Sequence, residues 1–141
     1  MPQTTPLSEL ILAQAAEAVV YANKEGVIER WNAAAEAMFG FAADEAIGQN
    51  LDLMIPERLR EAHWRGFDAA MANGKTRLGG RPTLTRGQHK TGRKLYVEMS
   101  FALVVDAAGA AMGSVAVARD VTERVEREKA AAGGAAAKPQ G

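Results

Sequence analysis

The chain of 141 residues contains no cysteine. This absence excludes disulfides, zinc sites built on thiolates, cysteine nucleophiles and photochemistry on a thiol. There is also no apolar run near the roughly 18 to 20 residues of a membrane span, and the N-terminus lacks the basic and apolar regions of a secretory signal. We therefore expect a cytoplasmic protein without a membrane partner.

A net charge is also absent, because 17 Lys and Arg balance 17 Asp and Glu. This balance argues against bulk binding of nucleic acid. The charges are nevertheless distributed unevenly. Residues 1–57 hold nine acidic and two basic side chains, whereas residues 58–98 hold ten basic and three acidic ones. The basic stretch fits either a solvated strand face or a counter-charge for an anionic ligand.

The sequence shows no recognised catalytic pattern, such as a Ser/His/Asp order, a GxGxxG fingerprint or a phosphate loop. Its carboxylates are scattered along surfaces expected to face solvent. We therefore expect no enzymatic activity.

The periodicity of apolar residues predicts one α+β domain. Strand patterns at 17–22 and 26–31 flank a glycine-containing turn and predict a β-hairpin. Helical patterns follow, and period-two patterns at 83–89, 94–105 and 113–119 predict three more strands. This order is typical of a five-stranded antiparallel sheet with helices over one face.

The chain ends add flanking segments to this domain. We expect an N-terminal helix within residues 1–16, the domain itself at 17–119, and a C-terminal helix at 120–130 with Asp120 as its N-cap. The small residues of 131–141 predict a disordered tail.

The longest predicted helix lies between Pro56 and Gly74. Within it, Leu59, His63 and Phe67 recur every four residues and therefore share one face. On the facing strand, alternate apolar residues should point into the core: Leu95, Val97, Met99, Phe101 and Leu103. From this pattern His63 is either a core histidine bonded to a backbone carbonyl or a metal ligand.

Several segments carry a resemblance to PAS domains, and it covers residues 8–128. They include Gly26–Asn32, Ala35–Gly40, Ile47–Asn50 and the exit motif Arg119–Arg124. The resemblance implies a PAS fold whose C-terminal helix passes on a signal. It leaves the ligand open, because PAS domains carry haem, flavins, small organic molecules or nothing.

The segment Met54–His63 is similar to the haem-binding PAS sensors, namely the direct oxygen sensors and the oxygen-sensing kinases. In those proteins a histidine at the position of His63 ligates haem iron. The resemblance therefore implies haem b, with His63 as the metal ligand and a diatomic gas (O2, CO or NO) as the signal. The other implied cofactor contacts are Leu59, Phe67, Leu78, Arg81, Thr83, Met99 and Phe101.

Two positions depart from that family pattern. Arg81 stands where one group of these sensors has a methionine as the sixth iron ligand, which excludes methionine ligation from this position. Thr83 stands where these sensors have an arginine that hydrogen-bonds oxygen. Three arginines of the basic stretch are candidates either for the haem propionates or for a solvated strand edge: Arg77, Arg81 and Arg86.

The first hypothesis is thus a haem-binding PAS sensor that detects a gas or a redox state and signals to a partner protein in trans, as a homodimer formed through its flanking helices. The alternative is a cofactor-free PAS module for protein–protein contact, its interior filled by side chains. A weaker one is a flavin-binding redox sensor. A void around His63 favours haem, and a filled core favours the interaction module.

Overall fold

The computed structural model describes residues 4–74 and 81–140, and for residues 134–140 it describes the backbone alone. The strands are β1 (Ala18–Asn23), β2 (Ile28–Trp31), β3 (Thr83–Gln88), β4 (Lys94–Val105) and β5 (Ala111–Asp120). The helices are α1 (Leu7–Gln14), α2 (Ala33–Phe39), α3 (Ala43–Ala46), α4 (Glu57–Asn73) and α5 (Thr122–Gln140), with a short 3₁₀ turn at Leu51–Met54. These bounds agree closely with the predicted pattern.

The five strands form one sheet in the order β2-β1-β5-β4-β3, and all neighbouring strands are antiparallel. The first strand, β1, lies next to the edge strand β2. The helices α2, α3 and α4 then connect β2 to β3 at the opposite edge, and β5 ends in the middle of the sheet, between β1 and β4. The predicted fold class is confirmed.

The inner face of the sheet carries the core, as the alternation in β4 predicted. Leu95, Val97 and Met99 are buried, and Phe101 packs partly buried against the same apolar cluster. Leu103, farther along the strand, is half-buried and lies outside this cluster. Phe67 of α4 is buried in the cluster, so α4 packs on the inner side of the sheet.

Asn32 holds the start of α2 to the rest of the domain. Its side-chain oxygen accepts hydrogen bonds from the backbone N–H groups of Val19 and Ala35, at 2.9 and 3.0 Å. Its side-chain nitrogen donates to the carbonyls of Leu12 and Glu17, both at 3.0 Å. Asn32 is therefore the N-cap of α2, and the same buried amide also ties the N-terminal segment to the sheet.

The outer face of the sheet holds the start of α5. Tyr96 of β4 packs with Val121 and Val125 in a second buried cluster. The backbone N–H of Tyr96 donates to Thr122 Oγ1 at 2.9 Å, and its carbonyl accepts from the N–H of Val121 at 2.9 Å. The exit helix is therefore anchored to one residue of the central part of the sheet.

The backbone of α5 is helical to Gln140, ten residues beyond the boundary at residue 130 that the sequence predicted. Alanine has the highest helix propensity, and this segment is rich in alanine. The division into a flanking helix, a central domain, an exit helix and a tail stays a prediction. Among the residues that the structure describes, no helix is both long and apolar enough to cross a bilayer.

Candidate functional site around His63

His63 lies on α4 and is half-buried on the side of the helix that meets the core. Its ring centroid is 5.9 Å from that of Phe67 and 4.7 Å from that of Trp64. Its Nδ1 atom is buried and has no hydrogen-bond partner among the described residues. Because an unpaired buried polar atom destabilises a fold, this atom marks His63 as a candidate for ligand binding.

Burial favours the neutral form of the His63 imidazole. Burial lowers the pKa of His63 below its usual value of 6.5, and the negative charges of Asp52 and Asp68 oppose this shift only in part. A neutral imidazole carries one ring nitrogen with a free lone pair, which is the form that binds a metal. Burial thus favours the form of the His63 side chain that can bind a metal.

Trp64, the next residue on α4, holds the helix to the opening hairpin. Its Nε1 donates to Asp52 Oδ1 at 2.7 Å, and its ring packs directly against Gly26. Sequence reasoning missed Asp52, because the 3₁₀ turn that carries it was not predicted. The available signal was Asn50, whose side chain accepts from the N–H of Asp52 at 2.8 Å, as Asn does in a local turn.

Four of the predicted cofactor contacts lie in one apolar cluster. Phe67 and Met99 are buried in it, and Leu59 and Phe101 pack partly buried against it. Because α4 contributes two of these residues and β4 the other two, the cluster joins the helix of His63 to the inner face of the sheet. The chemistry of this surround fits the apolar faces of a porphyrin.

The remaining predicted contacts lie at or beyond the edge of this cluster. Thr83 is paired with Met99 across β3 and β4, so both side chains belong to the inner face, but Thr83 is exposed. Arg81 precedes β3 and is exposed. Leu78, like Arg77, lies outside the described residues.

Arg86, proposed from the sequence as a partner of haem propionates, lies on the other side of the sheet. It is paired with Tyr96, and its guanidinium is 4.7 Å from the centre of the Tyr96 ring. Since Tyr96 belongs to the outer face, Arg86 points away from His63. The period-two alternation of β3 is the reason, because residues 83 and 86 necessarily face opposite sides.

The second histidine, His89, is half-buried, and its Nδ1 has a hydrogen-bond partner, unlike that of His63. Its ring lies against Gly40, and its Nδ1 is hydrogen-bonded to Thr91 at 3.0 Å. Within residues 4–74 and 81–140, no cluster of three or more His, Cys, Asp or Glu could hold a metal ion.

His63 lines neither of two clefts in the described part of the chain. One, of about 380 Å³, lies between α2 and the ends of β1 and β5. The other, of about 290 Å³, lies between the start of α4 and the β3–β4 hairpin. The donor atom of His63 and its apolar surround fit haem.

A family model described as PAS fold matches residues 12–126. The chain belongs to the PAS family. Among curated proteins, it is 31% identical over 111 residues to the oxygen sensor protein DosP of Escherichia coli. It is also 38% identical over 53 residues to the sensor protein FixL of Bradyrhizobium diazoefficiens.

These alignments span 78% and 38% of this PAS chain, but only 14% and 10% of the two curated relatives. Among solved structures, a PAS domain from Colwellia psychrerythraea superposes with a TM-score of 0.72 at 21% identity, covering 83% of this chain and 96% of that one. At this identity the superposition shows the shared fold alone.

Proposed function

We propose that this PAS domain binds haem b through His63 and reports a diatomic gas or the redox state of the iron to a partner protein. The observation that carries the proposal is the buried, unpartnered Nδ1 of a neutral imidazole that faces an apolar cluster. The similarity of Met54–His63 to haem-binding PAS sensors supports it, as does the match to a protein named as an oxygen sensor.

In this proposal each part of the site has a separate task. His63 would supply the nitrogen that holds the iron, and α4 fixes the direction of its ring. Met99 and Phe101 form the opposite apolar wall and exclude water from it, while Thr83 is the polar residue that the strand register places beside Met99. Bound haem supplies an iron at which a gas or an electron changes the local geometry.

The same strand connects this wall to the exit helix. Met99 faces the core from β4, and Tyr96, three residues earlier, holds α5 from the other face through Thr122. A change in the position of β4 therefore alters the contacts of α5, which biases the helix between two arrangements. We infer that α5 is the output and that it acts on a separate protein.

The flanking helix α1 is the surface that we propose for homodimer formation. Its apolar side chains are exposed, Leu7 by 71% and Ile11 by 60%, although the helix is tied to β2 through the Glu9–Arg30 ion pair. Exposed apolar side chains on an ordered helix are typical of contact surfaces. We propose no catalytic activity for this chain, and its cytoplasmic location stays a prediction.

The test is the absorption spectrum of the purified protein after addition of hemin, compared with His63→Ala. The expected result is an intense Soret band that His63→Ala loses or shifts. Because the variant leaves room beside α4, added imidazole should restore the band. The chain contains two histidines, so His89→Ala is a matched control and should keep the wild-type spectrum.

Two outcomes contradict the proposal. In the first, the wild-type protein shows no Soret band after unbound hemin is removed. In the second, His63→Ala and His89→Ala give the same spectrum as the wild type. The first outcome favours the cofactor-free interaction module, the second candidate. One observation favours that candidate: Phe67 of α4 and Met99 of β4 are buried in one apolar cluster next to His63.

A further inference from the structure

Three cations from distant parts of the sequence meet at the cleft between α4 and the β3–β4 hairpin. Arg58 comes from the first turn of α4, Arg86 from β3 and Lys94 from the start of β4. The amide side chain of Gln88 also lines this cleft, and none of its described lining residues is acidic. The basic stretch seen in the sequence is thus concentrated by the fold at one concave place.

The charges at this cleft are not neutralised within the described part of the chain. There, Arg58, Arg86 and Lys94 form no ion pair, whereas bases elsewhere, such as Arg119 with Glu17, do. The Nε atom of Arg86 is buried and lacks a hydrogen-bond acceptor among the described residues. A buried charged donor without an acceptor destabilises the fold, and an anion that draws the Arg86 side chain towards the cleft would give this donor an acceptor.

Two of these cations, with one more from α5, also surround the ring of Tyr96. Arg86 lies 4.7 Å and Lys94 5.7 Å from its centre, and Lys129 of α5 lies 4.8 Å from it. The hydrogen bond from Lys129 lowers the pKa of the Tyr96 phenol, and the charges of Arg86, Lys129 and Lys94 act in the same direction. Cation–π contacts attract each cation to the ring but leave the repulsion among the cations.

We propose that this cleft binds a small phosphoryl-bearing anion. A phosphate carries a charge of about −1.5 to −2 at neutral pH, which suits a group of three cations better than a single carboxylate does. Guanidinium groups bind phosphate oxygens through two parallel hydrogen bonds, and the cleft offers two of them. Its volume of about 290 Å³ suits a phosphate or a small phosphate ester.

The proposed anion site is separate from the site around His63 and is linked to the exit helix. Arg86 and Lys94 contact the same ring as Lys129, and Lys129 belongs to α5. An anion that draws Arg86 and Lys94 towards the cleft reduces the positive field at Tyr96. Binding therefore changes the interaction between Tyr96 and Lys129 and with it the attachment of α5.

The test is titration of the protein with inorganic phosphate at constant ionic strength, with chloride as the replaced anion, followed by calorimetry and by the thermal midpoint. The expected result is saturable binding, weakened about tenfold in each of Arg58→Gln, Arg86→Gln and Lys94→Gln, the range expected for loss of a charged hydrogen bond. The matched control is Arg65→Gln on the same helix, an exposed arginine 3.8 Å from Glu61, and it should bind as the wild type does.

Adenosine monophosphate in a second titration separates free phosphate from a phosphate ester. Equal affinity assigns the cleft to the phosphoryl group alone, and tighter binding of the ester assigns it to a phosphorylated metabolite. Phosphate should also raise the pKa of Tyr96, measured by its ultraviolet absorbance. Non-saturable binding, or equal loss of affinity in Arg65→Gln and in the three cleft variants, overturns the proposal.

Discussion

The contact between Gly26 and Trp64 gives the sharpest prediction about the fold around His63. Gly26 has a φ of +82°, and a Cβ built on it would lie 2.2 Å from Trp64 Cη2 and 2.5 Å from Cζ3. No side chain tolerates such distances, so Gly26→Ala must move the indole ring. The ring cannot move without stretching its hydrogen bond to Asp52, which is 2.7 Å long.

The cost of Gly26→Ala has two parts. Placing a residue with a Cβ in the left-handed region costs about 1–2 kcal/mol, and the lower entropy of the unfolded chain offsets about 0.4–1 kcal/mol of it. Weakening a hydrogen bond to a charged acceptor adds about 1.5–3 kcal/mol. We therefore expect Gly26→Ala to lower the free energy of unfolding by about 3 kcal/mol.

Gly48→Ala separates these two parts. Gly48 has a φ of +93°, and nothing lies within 4 Å of the Cβ that it would gain. Gly48→Ala should therefore lower the free energy of unfolding only by the cost of placing a Cβ in the left-handed region, about 1 kcal/mol. The assay is urea unfolding of both variants, followed by far-ultraviolet circular dichroism, with the slope of the transition checked for constancy.

Replacing Trp64 tests whether the indole ring causes the larger loss of stability in Gly26→Ala than in Gly48→Ala. In a Trp64→Leu background, adding Gly26→Ala should cost no more than Gly48→Ala does, because the clash is gone. If Gly26→Ala and Gly48→Ala are equally destabilising in the natural background, the reasoning is refuted, and α4 is not held to the hairpin by this contact.

Two further predictions concern the buried amide and the two tyrosines. Asn32→Ala leaves four backbone groups without their partner, and urea unfolding should show a loss of about 3 kcal/mol, whereas retained stability would contradict that role. In a titration at 295 nm, Tyr96 should ionise below its usual pKa of 10.0 because of Lys129, and Tyr21 above it because of burial. Lys129→Ala should raise the Tyr96 step and leave the Tyr21 step in place, and a single unresolved step would contradict the assignment.

The sequence predicted the fold well because its local signals agree. Alternation in β4 placed Leu95, Val97 and Met99 on the inner face, and the structure buries all three. The spacing of Leu59, His63 and Phe67 placed them on one side of α4, where the structure has the first and last of them in contact with the core. Periodicity is a property of a single element, so one element's sequence is enough to reveal it.

The contacts that cross between elements were harder to predict. Asp52 was missed as a neighbour of His63 and Trp64, because its position depends on how the 3₁₀ turn packs on α4. Arg86 was a candidate either for the haem propionates or for a solvated strand edge, and its register with Tyr96 places it on the outer face. A one-residue difference in register reverses the face of every side chain in a strand, and the pattern of exposed, polar β3 did not specify it.

What the sequence determined by itself is therefore the PAS fold, the helix that carries His63 and the uneven distribution of charge. Each of these follows from the order, spacing or number of residues along the chain. What only the tertiary structure decided is which groups meet: the packed core beside His63, the attachment of α5 at Tyr96 and the cleft formed by Arg58, Arg86 and Lys94. These depend on distances between residues far apart in sequence, which are fixed only when side chains compete for the same space in the packed domain.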